Sequence, residues 1–85
     1  MSDYKLVTID WVDSRQPDSA WKFVSDADGQ PIVKCLSAGW LIGQNDEVTT
    51  LAPNLGDIDD EDIQVSGVIR IPTVSITRIV FYEQS

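Results

Sequence analysis

The sequence predicts an all-β chain folded as a small, five-stranded, partly open barrel. Three observations carry that expectation. Short apolar stretches with two-residue alternation recur, each ended by Gly, Pro, Asn or Asp turn chemistry. No stretch sustains the 3.6-residue period of an amphipathic helix. At 85 residues the chain is one domain, residues 1–85, and closing strands on themselves removes edges that a small flat sheet leaves bare.

Residues 32–52 organise the rest, because they hold the longest apolar run and their own turn. Residues 32–43 predict a long strand, bent or bulged at Gly39. Gly43-Gln44-Asn45-Asp46 predicts the turn, and 47–52 the returning strand. Before this unit, residues 4–12 alternate with Val7, Ile9 and Trp11 on one face. Residues 13–20 read as a loop around Pro17-Asp18-Ser19. Residues 21–24 predict a short strand or a segment covering the barrel mouth. Residues 25–31 predict a turn at Asp28-Gly29.

Beyond the central unit, Pro53-Asn54-Leu55-Gly56 ends the strand and opens an acidic loop over 53–63. Residues 57–62 place five acids in six positions, which repel one another and stay in solvent. Residues 63–71 predict one strand with Val65, Gly67, Ile69 and Ile71 on a shared face. Pro72 cannot continue a central ladder. A tight turn over 73–76 then leads to a last strand, 77–82.

Composition narrows the function. Fourteen acids against six bases give a net charge of −8, a field that repels phosphate, so no direct nucleic-acid partner is expected. The charge suits a basic protein partner. There is no histidine and one cysteine, Cys35, so an intrachain disulfide is impossible and a Cys–His nucleophile has no base. Cys35 sits within an apolar strand and reads as a small buried hydrophobe. No zinc cluster, phosphate-cradling loop or nucleophile elbow is present. No enzyme activity, cofactor or metal is expected. The first five residues show no basic stretch leading into an apolar run, and no apolar run reaches the ~20 residues that cross a bilayer. The expectation is a cytoplasmic protein without a membrane partner.

The segment Gly67-Val68-Ile69-Arg70-Ile71-Pro72-Thr73-Val74-Ser75-Ile76-Thr77-Arg78-Ile79 resembles the end of an SH3-type barrel. SH3-like and Sm-like folds close with a strand, an apolar-Pro pair, a one-turn 3₁₀ helix and a short strand. Ile71-Pro72, Ile76 and Ile79 stand at that spacing. The ALYDY-type segment and paired tryptophans are absent, so the resemblance implies the fold and not a proline-peptide groove. The whole chain is also similar to a loose group of short phage and bacterial proteins. Asp10-Trp11, Cys35-Leu36-Ser37-Ala38-Gly39-Trp40-Leu41 and Ile71-Pro72 carry that likeness. It implies a phage or bacterial accessory protein acting in the host cytoplasm.

Two candidate sites follow from the residues. Asp57, Asp59, Asp60, Glu61 and Asp62 form the densest cluster. Asp57, Asp59 and Glu61 alternate as in a calcium loop, but Asp62 and Val68 stand where such a loop needs Gly and Glu. Docking on lysines and arginines of a partner, by phosphate mimicry, is the better reading. Trp11, Trp21 and Trp40 each sit within or beside an apolar strand and read first as core; Trp21, which follows a polar loop beside Lys22, is the exception that also reads as a binding anchor. Asp26 and Asp28 belong to a turn. Arg15, Arg70 and Arg78 are the cations that could converge on a carboxylate or a ligand.

The functional expectation is a non-enzymatic accessory protein that sets its acidic surface against a basic host or self protein. The partner could be one that normally handles nucleic acid, which the chain would inhibit. Two alternatives remain open: a homo-oligomer subunit joined through β-edges, and a small-ligand sponge at subunit boundaries.

Overall fold

The computed structural model of the chain describes residues 4–14, 17, 19–29 and 31–83. Among the described residues seven strands and two short helical turns follow one another. They are β1 (Lys5–Asp13), α1 (Val24–Ala27), β2 (Val33–Gln44), β3 (Val48–Ala52), β4 (Asn54–Gly56), β5 (Gln64–Ser66), β6 (Ile69–Pro72), a 3₁₀ turn (Thr73–Ser75) and β7 (Ile76–Tyr82). The chain is all-β. Five strands form one antiparallel sheet in the order β6-β3-β2-β1-β7, and β4 pairs with β5 in a separate two-stranded sheet. The end strands β6 and β7 do not pair with each other, so the sheet is not closed into a barrel.

Alternation places the core. Val7, Ile9 and Trp11 of β1 stand opposite Gly39, Ser37 and Cys35 of β2 and share their face. Leu41 lies on the same face and meets Leu51 of β3. Leu51 and Thr49 in turn oppose Ile69 and Ile71 of β6. Val7, Ile9, Leu51 and Ile71 are buried, with Trp11, Leu41, Ile69, Ile76 and Ile79 packed around them. Trp11 keeps its polar edge satisfied, since Nε1 donates to Ser37 Oγ at 3.0 Å. Cys35 is half-buried rather than buried.

β2 is twelve residues long and serves two neighbours in succession. Its first part pairs with β1 through Leu41. Its last part pairs with β3 from Trp40 on, with a register shift between Leu41 and Gly43. The expected bulge is therefore at Ile42 and not at Gly39. Gly39 acts differently, because a Cβ there would lie 2.7 Å from the carbonyl oxygen of Ala52. The missing side chain lets β3 approach β2 closely.

A polar corner, with only Thr49 of its side chains buried, joins the β2–β3 turn to the 3₁₀ turn. Asn45 Oδ1 accepts from the N–H groups of Glu47 and Val48, both at 2.8 Å. The turn thus falls on Asn45 to Glu47, while Gly43 and Gln44 stay in the strand. Thr73 Oγ1 donates to the Asn45 carbonyl at 2.7 Å. A hydroxyl has one hydrogen, so the 3.0 Å contact of Thr73 Oγ1 with Thr49 Oγ1 has Thr49 as donor. Thr49 in turn accepts from Gln44 Nε2 at 3.0 Å. Thr73 N–H donates to the Glu47 carbonyl at 3.1 Å.

Downstream, the ending has the form that the SH3-type resemblance implies: a strand closing on Ile71-Pro72, one 3₁₀ turn, and a last strand. That last strand returns to β1, pairing Ile79 with Ile9 and Phe81 with Val7.

Three expectations change. Residues 21–24 form neither a strand nor a cover for a barrel mouth. Every described residue from 19 to 29 is exposed, and a single helical turn occupies Val24–Ala27. Residues 53–63 are not loop throughout, because Asn54–Gly56 is β4. Residues 63–71 are two strands, β5 and β6, broken at Gly67. There φ is +73° and a Cβ would meet Pro53 Cγ at 2.9 Å, so only glycine fits the break. Val65 consequently leaves the core face and is exposed.

The corner predicts a mutational contrast. Thr49→Val, which deletes the buried hydroxyl, should lower the unfolding free energy by about 1–3 kcal/mol, from two lost hydrogen bonds at about 0.5–1.5 kcal/mol each. Thr50→Val, on the opposite face, should change it by less than about 0.5 kcal/mol. Urea unfolding followed by tryptophan fluorescence measures both.

Candidate functional site

The acidic cluster sits on the turn that joins β4 to β5. Leu55 opposes Val65 and Gly56 opposes Gln64, and residues 57–62 close the hairpin, all of them exposed. Asp57 makes the bend. It holds φ at +52°, a left-handed conformation that Asp tolerates better than most side chains. Its carbonyl accepts from Asp60 N–H at 3.0 Å, and its Oδ2 accepts from Gln64 Nε2 at 3.1 Å. One of the five acids is thus partly a structural turn residue. Asp59, Asp60, Glu61 and Asp62 stand in solvent around it. Among them Ile58 is 51 % exposed, an apolar contribution that the charge pattern concealed. Among the described residues, no group of three carboxylates or thiols is placed to hold a metal ion.

Trp21 is fully exposed, at 101 % of its reference area. Phe23 at 80 % and Val24 at 85 % stand beside it. The α1 turn holds them there: Asp26 and Ala27 N–H donate to the Phe23 carbonyl, and Asp28 N–H to that of Val24. Asp28 Oδ1 then accepts from Gly29 N–H at 2.9 Å, so Asp28 serves the turn as expected. An open hollow beside Trp21 is lined by Lys22, Phe23 and Asp26. No acid of the hairpin turn contributes to it. The two candidate sites are therefore separate surfaces.

Sequence reasoning found Trp21 but passed over Phe23 and Val24. The near-full exposure of three large side chains so close together is visible only once α1 is seen to bury none of its residues.

The remaining candidates disperse. Arg70 lies on β6 and Arg78 on β7, the opposite ends of the sheet, and Arg15 lies outside the described residues. A second hollow gathers Asp10, Trp11, Lys34, Cys35 and Arg78 around the end of β1. It brings two cations together but not the arginine group that an anionic ligand site was expected to use. Trp11 and Trp40 are both half-buried in the sheet.

Among the described residues, no helix is long and apolar enough to cross a membrane. No protein-family model matches the chain, and neither a curated protein nor a solved structure matches it.

The exposure of Trp21 has a spectroscopic consequence. Trp21→Phe should remove the most red-shifted and most acrylamide-quenchable part of the tryptophan emission. It should leave the unfolding midpoint unchanged, since the side chain packs on nothing in the sheet. Steady-state quenching and urea unfolding check the two halves.

Proposed function

We propose that the protein is a non-enzymatic interaction module that docks the acidic turn of the β4–β5 hairpin on a basic protein partner. The observation that carries this reading is the separation of the turn from the core. No buried residue of the core lies between 53 and 68, yet that hairpin presents Asp57, Asp59, Asp60, Glu61 and Asp62 together. Of these, Asp57 alone bonds within the hairpin through its side chain. The rest raise self-repulsion in a chain already at −8, a cost that a cationic partner would relieve.

A partner surface rich in lysine and arginine is the complementary chemistry, and surfaces of that kind are common on proteins that hold nucleic acid. Closely spaced carboxylates on a turn offer such a surface a row of anions, as phosphates would. Ile58 supplies an apolar contact within the row. Trp21, with Phe23, is a second anchor on a separate surface, suited to a hot-spot contact.

The test is a capture comparison from bacterial lysate at low and raised salt. Wild-type chain should retain basic proteins and release them as ionic strength rises. The Asp59→Asn/Asp60→Asn/Asp62→Asn variant should lose the same proteins at low salt while keeping the wild-type circular dichroism spectrum. Retention of the same proteins by the neutralised variant would contradict the acidic-docking reading.

A further inference from the structure

The sheet ends on two unlike edges. β6 is four residues long and closes on Pro72, which has no N–H to offer. β7 runs seven residues from Ile76 to Tyr82 without a proline. One side of β7 pairs with β1, and among the described residues no strand lies on the other. A row of unpaired N–H and C=O groups on an extended edge is a template for another strand.

Two observations single out this edge. Phe81 lies on the core face, opposite Val7, yet remains 57 % exposed, because among the described residues no strand flanks it on the outer side. The strand also carries one charge, the positive Arg78, in a chain of net charge −8. Having no acid of its own, the strand sets no carboxylate of one copy against a carboxylate of another.

We infer that a second copy of this chain pairs along that edge, β7 against β7, about a two-fold axis at Val80. The register follows from the strand itself. β7 pairs with β1 at Arg78–Asp10 and next at Ile76–Trp11, which leaves Thr77 as an extra residue in the ladder. The regular part therefore begins at Arg78 and ends at Tyr82, with Val80 at its centre. Antiparallel pairing about Val80 sets Val80 against itself, Ile79 against Phe81 of the second copy, and Arg78 against Tyr82 of the second copy.

Each pair is favourable. A β-branched residue against an aromatic is among the better cross-strand combinations, and a guanidinium over a phenol ring is a cation–π contact. No charge meets a like charge. Moving the axis to Ile79 would bring the irregular Thr77 into the ladder, and moving it to Phe81 would set Ile79 against Glu83, beyond the strand. The pairing extends the five-stranded sheet to ten strands and covers Phe81. It does not use the hairpin turn, so it stands apart from acidic docking.

Opposed Cα atoms in an antiparallel pair lie about 4.5–5.5 Å apart, within the roughly 4.4–6.8 Å that a disulfide spans. The test therefore uses Cys35→Ser/Val80→Cys and, as the out-of-register control, Cys35→Ser/Phe81→Cys. Under air oxidation the Val80→Cys chain should form a covalent dimer at least about tenfold faster than the control. In the control, the two thiols sit two residues out of register, with Cα atoms about 8 Å apart at ~3.4 Å per residue. Light scattering should show twice the chain mass for wild type at both low and high salt. Val80→Lys, which sets two ammonium groups together, should be monomeric with a wild-type circular dichroism spectrum. A wild-type monomer at millimolar concentration would overturn the inference, as would equal oxidation rates in the two cysteine chains. If Val80→Lys failed to fold, the cysteine comparison would still decide.

Discussion

The corner where Thr49 meets Thr73 is the constraint on which the architecture depends. Strands β1, β2 and β3 follow one another as neighbours, and β6 joins the far side of β3. Only β7 departs from that progression, crossing back to pair with β1. The chain makes this turn within three residues, Thr73–Ser75. Those residues are tied to the β2–β3 turn by the Thr73 backbone and hydroxyl. Thr49 is the one buried polar side chain among the described residues, and its hydroxyl completes the tie from inside the core. Without a fixed corner, β7 would have a strand's propensity but no set direction of return.

What the corner secures is a thin core. Val7, Ile9, Leu51, Ala52 and Ile71 are the buried apolar residues among those described. Two parts of the chain contribute nothing to them: the segment around α1 and the β4–β5 hairpin. The radius of gyration is 16.9 Å, against about 12 Å for a compact domain of this length. The fully exposed segment around Trp21 fits that excess. Division of labour follows: the sheet supplies stability, while the outlying segments are free of packing constraints and carry the exposed aromatics and carboxylates. The edge of β7 is the third unspent surface, and it differs from the others in offering backbone rather than side chains.

Much of the sheet was legible because alternation is a local signal. Val7, Ile9 and Trp11 marked the core face of β1, while the 3₁₀ corner was implied by the SH3-type resemblance at Ile71-Pro72, Ile76 and Ile79 and not by alternation. The misreadings came where a single residue's backbone overrode a longer pattern. Gly67 broke an apparently continuous run over 63–71, because its positive φ and the Pro53 ring against it depend on a contact distant in sequence. The short strand Asn54–Gly56 has no alternation to show; it exists only because Gln64–Ser66 lies beside it. The bulge appeared at Ile42 rather than Gly39, since close approach to Ala52 and an extra residue are different uses of a strand that the sequence does not distinguish. For the sites, exposure of the acids followed from charge repulsion. The role of Asp57 in the bend needed the Gln64 contact to be seen, and the prominence of Phe23 needed the one-turn helix.

The central claim is that one folded sheet carries two outlying segments that do not share its stability. Native-state amide hydrogen exchange tests it most directly. The slowest exchange should fall at the β1 and β3 amides of the five-stranded sheet, around Val7, Ile9 and Leu51. Residues 20–29 and 57–62 should exchange near the unprotected rate, apart from the few amides bonded within their own turns. Protection of residues 20–29 equal to that of β1 in the monomeric Val80→Lys chain would contradict it, because that segment would then be part of the core.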